Sequence, residues 1–153
     1  DFSDGTTTGW AQSGGTNSIV DGKLYHKSSG AYTYSQTFYN IAFVDQHKYF
    51  IAFDYSCESS VTSLTLRWMF NNGTGANTIS VLPLSTTTRR YSIINTLSSG
   101  SYTSIGINLL QYTPSGYGYY LDNITILDLT EIYGSGNEPT DTNIIDKFVV
   151  KSK

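Results

Sequence analysis

The chain has 153 residues, a net charge of −3 and only 14% charged residues, against about a quarter in an average soluble domain. No Lys/Arg cluster exceeds the pair Arg89–Arg90, which excludes the electrostatic footprint of a nucleic-acid binder, and no apolar run reaches the ~20 residues of a membrane-spanning helix. Aromatics nevertheless reach 14%, with 13 Tyr, so the polar surface must consist mostly of Ser, Thr, Asn and Gly, a composition suited to hydrogen-bonding neutral ligands.

Taken in chain order, the period is two almost everywhere. After the turn-rich opening DFSDGTTTGW, strands are predicted at 17–20 and 23–28, around the turn Asp21–Gly22, and then at 31–39, where Tyr32 and Tyr34 share a face. Tyr49, Ile51, Phe53 and Tyr55 alternate with Phe50, Ala52 and Asp54 in a strand over 48–56. Leu64, Leu66 and Trp68 do the same over 62–70. Further strands follow at 77–82, 89–95, 102–111 and 118–128, separated by Asn72–Gly73, Ser99–Gly100 and Pro114–Ser115–Gly116. Many short strands with regular turns, and no helix-length segment between them, predict an all-β fold: a two-sheet antiparallel β-sandwich of jelly-roll type. The sandwich is expected to occupy 1–136. Residues 137–153 form a C-terminal extension in which Pro139 and Thr140 open a short helix over about 141–149 that leads to the next domain of a longer parent.

Single residues narrow the chemistry. Cys57 is the one cysteine, so no intrachain disulfide forms, and it reads as a small half-buried thiol. His26 and His47 are far apart, lack a second ligand at metal spacing, and are placed at strand ends on the surface. No nucleophile elbow or phosphate-binding glycine loop appears, and the chain reads as a non-enzyme. Arg67 lies between core-seeking Leu66 and Trp68 and is therefore expected to face outward, where a guanidinium donates several hydrogen bonds to hydroxyls or a carboxylate. Asp54 on the preceding strand has the same outward parity and is expected within diagonal reach across a hairpin, where a plain surface salt bridge is the competing explanation. In the cluster YTPSGYGYY at 112–120, Tyr117 and Tyr119 are assigned to a sugar-stacking surface and Tyr120 to the core or a cross-strand pair.

Two blocks carry a family resemblance. LDLTEIYGSGNEPT at 127–140, behind YGYYLDNITIL, resembles the C-terminal signature of jelly-roll domains in tail proteins of phages and prophages of Gram-positive bacteria. DFSDGTTTGW, followed by IVDGKLY, resembles the start of family 4/9-type carbohydrate-binding modules. The resemblance implies a galactose-binding or carbohydrate-binding-module type of sandwich whose concave sheet is the ligand cleft, with Asp54, Arg67 and Asn108 on its floor. It implies that Trp10 packs the N-terminal segment onto the sandwich. It also implies one structural Ca²⁺ at the sandwich edge, held by backbone carbonyls, by Asp122 of the last strand and, because Ser3 replaces the family's Glu, by Asp4 or Asp1.

Three functions follow as expectations. The first is a non-catalytic module that attaches a phage or prophage tail or receptor-binding protein to a host cell-surface glycan such as a wall polysaccharide, outside the cell and without nucleic acid or membrane insertion. The second is a structural or assembly domain of a tail or baseplate that self-associates without a ligand. The third is an accessory sugar-binding module of a secreted polysaccharide-degrading enzyme.

Overall fold

A computed structural model of the chain describes residues 2–30, 35–70, 74–97, 102–109 and 114–142. Among them the alternation resolves into β1 (Trp10–Ser13), β2 (Gly15–Val20), β3 (Lys23–Ser28), β4 (Ser35–Asn40), β5 (Lys48–Cys57), β6 (Leu64–Phe70), β7 (Thr74–Val81), β8 (Arg89–Thr96), β9 (Ser104–Leu109), β10 (Gly118–Asp128) and α1 (Leu129–Tyr133). The strands form two five-stranded antiparallel sheets. The first has the order β1-β4-β9-β6-β7 and the second β2-β3-β10-β5-β8. The predicted sandwich is therefore the observed one. β1 was not expected, because its four residues are too few to show a period. Tyr32, Tyr34, Tyr112 and the helix expected beyond Thr142 lie outside the described residues.

The core lies between the sheets. Ile51, Phe53 and Tyr55 of β5 and Leu24, Tyr119 and Leu121 of the second sheet pack against Leu64, Leu66, Trp68, Ile105 and Ile107 of the first. One expectation is corrected here. β5 and β6 are not a hairpin: β5 pairs with β10 and β8, whereas β6 pairs with β7 and β9 in the opposite sheet. The connection crosses the sandwich through buried Val61. Sequence neighbours pair in most sheets, but a jelly roll alternates its strands between two sheets, and alternation alone cannot show the difference.

The block at 127–140 is a clasp. Asp128 caps α1 by accepting from the Glu131 amide at 3.0 Å, and the Gly134 amide closes the helix on the Thr130 carbonyl at 2.9 Å. Leu129 is fully buried against Phe50 and Ala52 on the outer face of the second sheet, with Ile94 and Leu127 beside them. The chain is then tied to the start of β5. His47 Nδ1 lies 2.7 Å from Asp128, the Lys48 amide donates to Thr130 Oγ1 at 2.9 Å, and Lys48 Nζ reaches Glu138 at 3.3 Å. Glu138 also accepts from Thr130 Oγ1 at 2.7 Å and from the Gly136 amide at 2.9 Å. The Thr130 hydroxyl, with Lys48 and Gly136 adding to it, pulls the Glu138 carboxyl down to about 2 from its ordinary 4.5. A carboxyl lowered by folding stabilises the fold above 4.5 and loses that contribution as pH falls through about 2. Glu138→Gln is therefore expected to lower the melting temperature at pH 7, with the gap to the unmodified chain closing as the scan pH approaches 2. A gap that is flat with pH would remove the carboxylate from the clasp.

A second correction concerns His26, which is buried rather than on the surface. Its Nδ1 lies 2.8 Å from Asn17 Oδ1 and its Nε2 2.8 Å from Ser35 Oγ. Asn17 Nδ2 donates to Thr37 Oγ1 at 2.8 Å and to the Ala11 carbonyl at 3.3 Å, so Oδ1 is the acceptor and Nδ1 of His26 carries the proton. These contacts link β2 and β3 of the second sheet to β1, β4 and the residue that opens β4. Cys57 is likewise buried rather than half-buried, and His47 is partly exposed.

Candidate functional site

Two of the five residues expected to bind sugar meet on one face. On adjacent strands, Arg67 lies opposite Gly106 and Asn108 opposite Thr65, so Arg67 and Asn108 share the outward face of the first sheet. Asn108 Nδ2 donates to Gln36 Oε1 at 3.0 Å, and Thr65 Oγ1 donates to the Asn108 carbonyl at 3.4 Å. Gly106 lets its neighbours close over the centre, since a Cβ there would lie 2.7 Å from Phe38 Cβ and 2.9 Å from Met69 Sδ. This face is closed. Gln36 and Thr65 are 6% exposed, Phe38 3%, and Met69, Ser104 and Asn108 0%, while Arg67 is half-buried. Asn108 has no solvent contact to offer a saccharide, and Arg67 keeps a partial one.

The other three residues are dispersed. Asp54 lies in the second sheet, opposite Arg90 and Asp122. It accepts from Arg90 at 3.4 Å and from Asn123 Nδ2 at 2.8 Å, so its cation is Arg90 and not Arg67. Tyr117 precedes β10 and is 40% exposed. Tyr119 is 0% exposed, and its hydroxyl accepts from the Thr37 amide at 3.1 Å and donates to the Ile107 carbonyl at 2.7 Å. Burial drives that phenol well above its ordinary pKa. Tyr120 takes the outer face and stacks on Tyr25 at a centroid distance of 4.6 Å. The expected directions of Tyr119 and Tyr120 are thus exchanged, and the cause is a bulge. The register of β10 against β5 slips between Asp122 and Thr125, and Asn123 adopts a positive φ of 48°. Alternation counted back from Ile124 and Ile126 puts Tyr120 inside. The extra residue reverses that parity.

The two carboxylates expected at calcium do not converge. Asp122 lines a shallow depression on the outer face of the second sheet with Lys23 and Asp54, whereas Asp4 lines a different one at the sandwich edge. Among the described residues no group of three or more His, Cys, Asp or Glu is placed to hold a metal.

Two open depressions are seen among the described residues: one of about 450 Å³ beside Glu58, Ser85, Thr87 and Arg89 has no aromatic wall, and the other, which holds Asp4, is a bowl of about 340 Å³ with one. Its floor follows from the same bulge, which turns Ile124 and Ile126 inward. β3 pairs with β10 only as far as Leu121, so the β10 edge beyond is left to the N-terminal segment. Phe2, Trp10 and Tyr39 supply the aromatic walls, with ring centroids 6.1 Å apart for Phe2–Trp10 and 5.4 Å for Trp10–Tyr39. Phe2 is buried, while Trp10 and Tyr39 are half-buried. Asp4, Thr6 and Thr8 form an exposed polar rim. Local turns shape that rim. The Gly5 amide donates to the Phe2 carbonyl at 3.0 Å, and the Trp10 amide to that of Thr7 at 2.9 Å. Gly9 has a φ of 84°, and a Cβ there would come within 2.6 Å of the Tyr39 ring, so only glycine brings the loop this close. Asp4 accepts from the Thr6 amide and from Thr6 Oγ1, both at 2.9 Å, and the amide foremost lowers its pKa and keeps it ionised. Sequence reading placed Trp10 as a packing residue only. The usable signal was the crowding of three threonines and a carboxylate into the eight residues before it.

No protein-family model matches the sequence, and no curated protein matches it. Solved structures do match. The chain is similar to a CBM4 module, with a TM-score of 0.67 and 17% identity over 83% of this chain and 99% of that one. It is similar to a variant of a family 29 carbohydrate-binding module complexed with cellulohexaose, with a TM-score of 0.60 and 12% identity over 82% of this chain and 84% of that one. It also matches the enzymatically active domain of tailspike protein 4 of bacteriophage CBA120, with a TM-score of 0.54 and 14% identity over 81% of this chain but 20% of that one. At these identities the likeness is one of fold, and the fold is the jelly roll seen in carbohydrate-binding modules.

Proposed function

We propose that the chain is a non-catalytic carbohydrate-binding module and that the bowl between the N-terminal segment and β10 holds the saccharide. One observation carries this reading: among the described depressions, the bowl joins partly open aromatic rings to a carboxylate and hydroxyls around a ligand-sized space. Sugar C–H faces pack on aromatic rings while their hydroxyls bond to the rim. The fold shared with carbohydrate-binding modules supports it. The resemblance of 127–140 to tail proteins, together with the tailspike match, supports the finer reading, attachment of a phage or prophage tail to a host-surface glycan. A single shallow site binds weakly, and display of several copies on a tail compensates.

A structural or assembly domain is the second reading, and the closed face of the first sheet favours it, because a module without a ligand needs no open sheet. Pull-down on purified cell walls and glycan-array binding separate the two. Trp10→Ala is expected to weaken binding about tenfold. Thr8→Phe, an exposed rim change that crowds the bowl, is expected to do the same at an unchanged melting temperature. Arg67→Ala is expected to leave binding intact. Loss in Arg67→Ala alone would move the ligand to the first sheet, and no binding to any wall or glycan would leave the assembly reading.

A further inference from the structure

The bowl carries more than a preference for sugar, because Asp4 places a carboxylate on its rim. Asp4 is the one charged side chain on its wall among the described residues, and the other polar side-chain groups, those of Thr6, Thr8, Trp10 and Tyr39, are neutral. Each Asp4 oxygen already accepts one hydrogen bond from Thr6 at 2.9 Å, which fixes the carboxylate at the rim rather than letting it swing into solvent. A carboxylate held in this way has lone pairs left for a sugar hydroxyl or an ammonium and nothing to donate to an acid. The floor beneath is aliphatic, so a charged substituent pushed past the rim would be desolvated against Ile41, Ile124 and Ile126 with no opposite charge among the described lining residues. The volume is also small. At about 340 Å³ it lies at the low end of the roughly 300–1,000 Å³ of small-ligand sites, enough for a terminal ring or a disaccharide but not for a long chain segment.

Resting on the carbohydrate-binding reading, the geometry points to a selective site: the bowl takes a short neutral or amino-bearing saccharide end and rejects uronic and other acidic sugars, with Asp4 as the discriminating residue. Trp10 and Tyr39 contribute stacking that is indifferent to charge, so selectivity and affinity belong to different side chains. A unit charge about 4 Å from a unit charge in water contributes close to 1 kcal/mol, which is about fivefold in affinity at low salt and fades as ionic strength rises.

The test uses the whole chain and three disaccharides of one linkage: a neutral hexose pair, a glucosamine pair and a pair ending in a hexuronate. Binding is measured by ligand-observed NMR or calorimetry at 20 and 300 mM NaCl. The expected order at low salt is glucosamine, then neutral, then hexuronate, with about fivefold between steps that shrinks at high salt. Asp4→Asn is expected to bring the three affinities together. Equal binding of all three probes by the unmodified chain, or a preference for hexuronate, would overturn the selectivity while leaving sugar binding in place. Binding of none would overturn the carbohydrate reading itself. A charge preference that persists in Asp4→Asn would reassign the discrimination to another residue and defeat the inference.

Discussion

Between pH 6.5 and 4 the fold is expected to lose about 3 kcal/mol of stability through one side chain, His26. Its ring is 0% exposed and faces Asn17, Ser35 and the ring of Tyr119 at 5.3 Å, none of which carries a charge at these pH values. Burial pushes its pKa down to about 4 from 6.5. The sign follows from linkage. The unfolded chain protonates His26 below 6.5, whereas the folded chain resists until about 4, so acid favours the unfolded state across that window. Above 6.5 both states are neutral and the effect vanishes. The loss falls on a junction between sheets, because Asn17 links His26 to Thr37 and Ala11 of the first sheet. Urea unfolding at half-unit steps from pH 7.5 to 4 measures it. His26→Gln keeps a donor and an acceptor without a titrating group, and its stability is expected to lack this slope. Parallel profiles for the two chains over the window would rule out His26 as the source.

Tyr119→Phe is expected to cost about 2–3 kcal/mol, a drop of several degrees in melting temperature for a domain of this size. One hydroxyl on β10 bridges the interior, accepting from the Thr37 amide of β4 and donating to the Ile107 carbonyl of β9. Removing it leaves both buried backbone groups without that partner, where no water replaces it, and the desolvation penalty of each is then unopposed. The phenyl ring itself stays, so packing against the core is retained and the change isolates the polar link. The midpoint of urea unfolding should fall while its slope with denaturant stays the same. A change below about 0.5 kcal/mol would mean that the two strands satisfy these groups by another route.

The two stability experiments and the binding experiments probe separate parts of the molecule. His26 and Tyr119 hold the sheets together in the interior, while the bowl sits at the edge, where the β2–β3 hairpin stops short and leaves part of β10 open. Stability variants in the interior therefore serve as controls for binding variants at the rim.

Local chemistry made much of this legible. Alternating apolar residues along β5, β6, β9 and β10 announced half-buried strands, and turn residues marked most of their ends, because a two-residue period and a reversal each depend on a few adjacent side chains. The same logic set Arg67 and Asn108 on an outward face. The order of strands was not legible: nothing adjacent to Asp54 says that its strand pairs with β8 and β10, so its cation was misassigned. One inserted residue at Asn123 exchanged Tyr119 with Tyr120 and turned Ile124 and Ile126 inward, and a bulge leaves only a faint trace in a string of letters. Whether a face is open was equally hidden, since the bowl at Trp10 is lined by residues distant in the chain. Periodicity is a property of neighbours, whereas pairing, parity after a bulge and solvent access are set by contacts between residues that meet only when the chain has folded.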